Sequence, residues 1–298
     1  MKMKKYTLQP SQMPFDLDIT LSCGQVFQWV RHEEIWTGIV KNSIITIRQN
    51  GKTLEYDGCK ETDLINYFNL NFEIEKVTES IRNSIAQTTG TIPDLLFETA
   101  LSVAQGLRII RQDPWECLVS FICSQNSNIP AITKRINLLS QQYGNSLQDG
   151  WFGIPDPLSL TQAPVDKIRG CSTGYRASYL TDTASYISEN PDFLSGLSVL
   201  EMKDARILLL NLSGVGPKVA DCVLLFAYNY YQAVPVDVWI RKIITKGYPD
   251  LIFQAGSRKE PSYDQIADYC RNYFGYYAGY AQQLLFAARN SLITKHNT

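Results

Sequence analysis

The chain has 298 residues, 45% of them hydrophobic and 19% charged, with a formal net charge of -1. This is an ordinary globular profile with ample length to bury a core. The charge excludes a global positive field, so any nucleic acid would have to be gripped by a local face. Seven cysteines (23, 59, 117, 123, 171, 222 and 270) form no C-x-x-C pair, which argues against a disulfide framework and against a structural zinc site. A reduced intracellular protein is expected. The start, MKMKKYTLQP, is basic but leads into no apolar run, so no signal peptide is evident, and no stretch approaches the ~18 apolar residues of a membrane helix.

The first elements in chain order read as strands. IWTGIVKNSIITIRQNGKTLEY alternates branched or aromatic residues with polar ones, and Gln49-Asn50-Gly51-Lys52 contains an Asn-Gly hairpin signal. An antiparallel sheet is predicted over roughly 14–60, with helices completing the region to about 110. From Asp113 the character changes: Asp-Pro is an N-cap followed by a first-turn proline. Helices are predicted at about 114–125, 129–143, 164–170, 176–190, 199–211, 217–228, 238–246, 262–274 and 278–293. The expected fold class is therefore α+β: residues 1–112 as an N-terminal β-rich domain with flanking helices, and 113–298 as a mostly α-helical domain.

The most informative stretch is LLLNLSGVGPKVADCVLLFAYNYYQAVPVDVWIRKII, residues 208–244. One helix ends near Asn211, Leu212 to Gly216 form a tight turn, and Pro217 opens the next helix. Gly214 and Gly216 permit positive φ and close approach of another backbone. The free amides and positive dipole end of the new helix can receive a phosphate. Lys218 lies in the first turn, where a cation is unfavourable for the dipole, so a surface-stabilising role fits poorly. Cys222 follows four residues on, on the same face. Asp237 precedes VWIRKII and reads as an N-cap, whose amides favour an ionised carboxylate. Taken singly, Lys218 could be a solvated or phosphate-contacting lysine and Asp237 an ordinary cap.

Together, Gly-Val-Gly-Pro-Lys-Val-Ala-Asp-Cys and the later Val-Pro-Val-Asp resemble the signature of the helix–hairpin–helix DNA glycosylases, with the motif at about 203–228. More narrowly, the chain is similar to 8-oxoguanine DNA glycosylases of the eukaryotic type, over nearly its whole length. The resemblance implies that Lys218 attacks the sugar and becomes a Schiff base, that Asp237 supports the developing charge, and that β-elimination then nicks the strand. DLDITLSCGQVFQW looks like the family's N-terminal signature, and it implies that the Gly24 carbonyl accepts a hydrogen bond from N7–H of the oxidised base, a proton guanine lacks. YYAGYAQQLLFAARN implies Gln282 on the Watson–Crick edge and Phe286 stacked on one face of the base, with Cys222 against the other face. Asn126 in ICSQNSNI implies a filler of the vacated space that contacts the partner cytosine. Tyr175 and Arg176 in TGYRASYL imply a wedge and a hydrogen-bond donor beside the estranged base.

Two positions depart from the family. A second arginine clamp on the opposite cytosine is replaced by Ala131, which predicts a relaxed opposite-base preference. A histidine near a phosphate, two residues after the aspartate, is replaced by Trp239. Only Cys222 and Cys270 lie downstream of Gly214, so no iron–sulfur cluster is expected. No cofactor is expected for the chemistry. A structural monovalent or divalent cation at the hairpin, held by carbonyls 212, 214 and the 209 region, is compatible with the pattern. The implied partner is double-stranded DNA carrying an oxidised purine, met by a monomer without a membrane. The absence of basic tails fits a prokaryotic cytoplasm better than a nucleus. Two alternatives stay open: a non-catalytic binder of bent or damaged DNA, and a glycosylase for another lesion such as a ring-opened or alkylated purine.

Overall fold

The computed structural model describes residues 3–90, 93–248 and 260–294. Five strands make one antiparallel sheet: β1 (Lys4–Thr7), β2 (Trp29–His32), β3 (Ile35–Val40), β4 (Ser43–Asn50) and β5 (Thr53–Asp57). Their spatial order is β1-β5-β4-β3-β2. The alternation read in the sequence is the alternation observed: Ile45, Ile47, Leu54 and Tyr56 are buried, while their neighbours face outward. The hairpin expected near Asn50-Gly51 is present. Asn50 still pairs with Thr53, so the two-residue loop is Gly51-Lys52, with Gly51 at φ 57°.

The sheet differs from expectation at its beginning. Residues 17–22, inside the segment expected to be strand, form helix α1 (Leu17–Ser22), capped by the Asp16 carboxylate accepting from Ile19 N at 2.8 Å. The local cap outcompetes extension. The added edge strand is β1, which pairs with β5 some fifty residues away. Its sequence, KKYT, is too short to show a period of its own.

The helices that follow are α2 (Glu61–Tyr67), α3 (Ile74–Thr89), α4 (Leu95–Val103), α5 (Pro114–Cys123), α6 (Ile129–Tyr143), α7 (Pro157–Gln162), α8 (Val165–Ile168), α9 (Arg176–Glu189), α10 (Phe193–Gly196), α11 (Met202–Leu210), α12 (Pro217–Tyr228), α13 (Val238–Gly247), α14 (Tyr263–Phe274), α15 (Ala278–Ala287) and α16 (Arg289–Thr294). The Asp113 cap is as read, accepting from Trp115 N and Glu116 N at 2.9 and 3.0 Å. The single helix expected over 278–293 is two, parted at Ala288. The short helices α7 and α10 were not anticipated.

Two cores result. One lies under the sheet and includes Leu54, Tyr56, Leu64, Phe68 and Ile110. The larger one fills the helical body and takes in Val77, Ile81 and Phe97 from α3 and α4. At its centre runs α12, every residue of which from Val219 to Ala227 is buried. Each large apolar side chain so buried contributes roughly 1.5–3 kcal/mol, which makes α12 a rigid base for whatever its first turn carries. Among the described residues no helix is long and apolar enough to cross a membrane.

Candidate active site

A cleft of about 950 Å³ opens where the first turns of α12 and α13, the α5–α6 connection and the end of α15 meet. Gly24, Asn126, Gly216, Lys218, Asp237 and Phe286, all singled out from the sequence, line it together. Five of them come from separate parts of the chain, so their convergence is a property of the fold.

The lysine is aimed from below. Pro217 occupies the first helical position of α12 and Gly216 its N-cap. The Lys218 Nζ donates to Ser124 Oγ at 2.9 Å and lies 4.7 Å from the centre of the Phe121 ring. Ser124 Oγ donates in turn to the Phe121 carbonyl at 2.7 Å, which leaves it an acceptor toward the amine. Ser124 was not picked out from the sequence. It marks only the end of α5, and its partnership depends on α5 packing against α12.

Asp237 caps α13, accepting from Trp239 N at 3.1 Å and Ile240 N at 2.8 Å. Burial pushes its carboxyl above the ordinary aspartate range. The two amides and the charges of Lys218 and Arg289 pull the other way. Arg289, also unforeseen, stands over the Phe286 ring at 4.3 Å and donates to the Phe286 carbonyl at 2.8 Å. Trp239 lines the same cleft.

Gly24 has φ 86°, and a Cβ there would meet Ile129 Cδ1 at 3.0 Å and Phe286 Cε1 at 3.4 Å. Only glycine holds this turn while letting the Phe286 ring close on it. The loop is anchored by buried Gln25, whose Nε2 donates to Thr20 O at 2.9 Å and Arg108 O at 2.8 Å while its Oε1 accepts from Ile110 N at 2.9 Å. Gln283 Nε2, at 3.3 Å from Cys23 Sγ, ties α15 to the same loop.

Cys222 and Gln282 are buried and do not line the cleft surface. Cys222 lies one turn from Lys218; burial pushes its thiol up to about 12, against the opposing pull of the lysine. Gln282 lies one turn before Phe286, and its Oε1 has no hydrogen-bond partner.

Tyr175 and Arg176 are not part of the lining. Tyr175 is exposed, and its hydroxyl accepts from Asn126 Nδ2 at 3.1 Å, with Asn126 itself at φ 44°. Arg176 turns inward beneath it, 4.5 Å from the Tyr175 ring. Its Nη2 bonds the Gln125 carbonyl and its Nη1 the Thr173 carbonyl at 3.2 Å. Gly214, at φ 73°, packs so tightly on Tyr179 that a Cβ would lie 2.5 Å from that side chain. The hairpin carbonyls already accept within the chain: Leu212 O from Val215 N, Gly214 O from Gln125 Nε2, and Leu209 O from both Leu212 N and Asn211 N. Carbonyl oxygens are the donor type a hard cation takes. Among the described residues no three His, Cys, Asp or Glu side chains converge.

Residues 7–118 match the family described as 8-oxoguanine DNA glycosylase, N-terminal domain, and residues 119–250 the helix–hairpin–helix superfamily of base excision DNA repair proteins. An Arabidopsis thaliana protein named N-glycosylase/DNA lyase OGG1 is 30% identical, over 96% of this chain and 80% of its own length. The chain belongs to the N-glycosylase/DNA lyase family. A Saccharomyces cerevisiae N-glycosylase/DNA lyase is 31% identical, over 76% of this chain and 67% of its own. The crystal structure of the Clostridium acetobutylicum 8-oxoguanine glycosylase/lyase, bound to double-stranded DNA with cytosine opposite 8-oxoguanine, superposes with a TM-score of 0.83 at 29% identity, covering 98% of this chain and 99% of that one. Sheet, helical body and hairpin thus form the fold of a family of DNA glycosylases.

Proposed function

We propose that this enzyme excises 8-oxoguanine from double-stranded DNA and then nicks the strand, with Lys218 as nucleophile. The observation that carries the reading is one cleft holding an amine aimed by Ser124 and a carboxylate held by the first turn of α13. Lys218 Nζ forms a bond to the sugar C1′ as the bond from C1′ to the base breaks, and the base leaves with the electron pair and takes up a proton. Asp237 stabilises the positive charge that develops on the sugar. The sugar ring opens to a Schiff base on Lys218. Loss of a proton from C2′ then expels the 3′ phosphate, and water releases the lysine.

The Gly24 carbonyl, the Gln282 amide, Cys222 and Phe286 supply base recognition in this reading. The orphaned Gln282 Oε1 supports it: a buried acceptor without a donor costs about 1–3 kcal/mol, and the N–H groups of guanine's Watson–Crick edge would satisfy it. Because Gln282 and Cys222 are covered, the side chains over them must move to admit a base. Gly214 and Gly216 grip the DNA backbone, with or without a cation bridging hairpin carbonyls to a phosphate. Asn126, Tyr175 and Arg176 face the estranged partner, and Ala131 leaves the preference for cytosine relaxed.

Borohydride trapping on duplexes carrying 8-oxoguanine opposite C, A, G and T tests the whole scheme. A covalent adduct that disappears in Lys218→Gln supports it. No adduct on any damaged base would favour a non-catalytic DNA binder, and adducts only with alkylated or ring-opened purines would move the substrate.

A further inference from the structure

Asp221 lies three residues after Lys218 on α12 and is fully buried, an expensive place for a carboxylate. Burial pushes its carboxyl up, and its partners pull it back. Arg206 Nε from α11 donates to Oδ1 at 2.7 Å, and Tyr263 Oη donates to Oδ2 at 2.6 Å. Arg206 also reaches Asp264 at 3.1 Å and stands 5.9 Å from the Tyr263 ring, so the start of α14 is held from two sides. The same tyrosine hydroxyl accepts from Val236 N at 3.2 Å and lies 3.1 Å from the Val234 carbonyl. Val236 is the residue immediately before Asp237.

An unbroken path therefore runs from Lys218 along one turn of α12 to Asp221, across to Tyr263, and back through Val236 to Asp237. Nothing in the proposed chemistry uses Asp221, Arg206 or Tyr263. The Tyr263 ring lines the cleft, but its hydroxyl is spent on Asp221 and the 234–236 backbone. We propose that Tyr263, braced by the Asp221–Arg206 pair, is a positioning residue that sets the Asp237 carboxylate relative to the Lys218 amine. Without it the segment leading into α13 loses its hydrogen-bonded tie to α12 at this point. The carboxylate would then ride on the cap alone, and a displacement on the order of 1 Å at a reacting group can cost up to ~100-fold in rate.

The inference rests on the base-excision reading, and its test separates the two. Tyr263→Phe in the full chain removes only the hydroxyl. Single-turnover excision of 8-oxoguanine should slow by about tenfold or more. Affinity for duplex DNA, and Schiff-base trapping at a preformed abasic site, which needs Lys218 but no departure of a base, should stay near wild type. Equal slowing of both steps would mean general loosening and would overturn the proposal, as would undiminished excision. A second measurement needs no variant: the Val236 amide of the wild-type chain should be protected from hydrogen exchange to the level of α12, and free exchange there overturns the brace. Absence of excision by the wild-type chain would sink the proposed function instead, while the exchange experiment still decides whether Tyr263 holds Val236.

Discussion

The cleft and the surface beside it that carries Tyr175 and Arg176 are built differently. On the side of Lys218, Asp237 and Gly24, each functional group is set by a fixed piece of backbone, with Ser124 Oγ holding the lysine's amine. The lysine stands in the first turn of a buried helix, the carboxylate is held by two amides of a second helix, and the carbonyl is presented by a positive-φ glycine locked by Gln25. On the side of Asn126, Tyr175 and Arg176, orientation comes from side chains bonded to one another or to their own loops. A wall aimed by backbone is ready before substrate arrives. A wall aimed by exchangeable side-chain bonds has to trade them for DNA. On the proposed reading, chemistry is preorganised here and partner-strand recognition is assembled on contact.

The contrast can be broken most sharply at Lys218. Lys218→Gln should abolish the trapped adduct and lower strand nicking by at least about 10³-fold, while the thermal midpoint holds. Asp237→Asn should come next. Asparagine also caps helices, so stability should change little, while excision drops by roughly 10²-fold. The same residue sets a pH dependence. Burial raises its carboxyl, and in the proposed mechanism the carboxylate is the working form. The rate should be full above that raised pKa and fall as pH drops through it, so the acid limb should lie above the ordinary aspartate range. An acid limb at or below that range would show the amides winning over burial. On the other wall effects should be smaller. Tyr175→Ala should weaken lesion-duplex binding by about 1–3 kcal/mol through lost stacking, with the trapped fraction at saturating DNA unchanged. Smallest of all, and in the sense of a gain, Ala131→Arg should add discrimination for cytosine of about tenfold, the scale of one bidentate base contact. If Ala131→Arg changes nothing, the partner-strand wall is not where the opposite base is read.

What was legible in the sequence follows the same division. Lys218 and Asp237 were readable because a helix start announces itself within a few residues, through Gly-Pro at one site and Val-Pro-Val-Asp at the other. The β4–β5 hairpin was readable for the same reason. Ser124 and Tyr263 carry no local signature, and each acquires its role from a partner tens of residues away; Arg289, bonded to nearby Phe286, matters through its charge on Asp237. Strand β1 was missed because an edge strand of four residues is defined by its partner, β5. The break at Ala288 is equally silent, since alanine favours helix on both sides of it. Arg176 entered only through the family resemblance, and its inward turn toward the Gln125 carbonyl has no local signature.

Gly24 and Phe286, far apart in sequence, line one pocket, and the Phe286 ring stands where it would touch any side chain placed at Gly24. During synthesis the hairpin and Lys218 emerge before α15 does. In the proposed reading, a polypeptide ending before Gln282 would carry the nucleophile without the residues that select its target, so competence to recognise damage waits for α15.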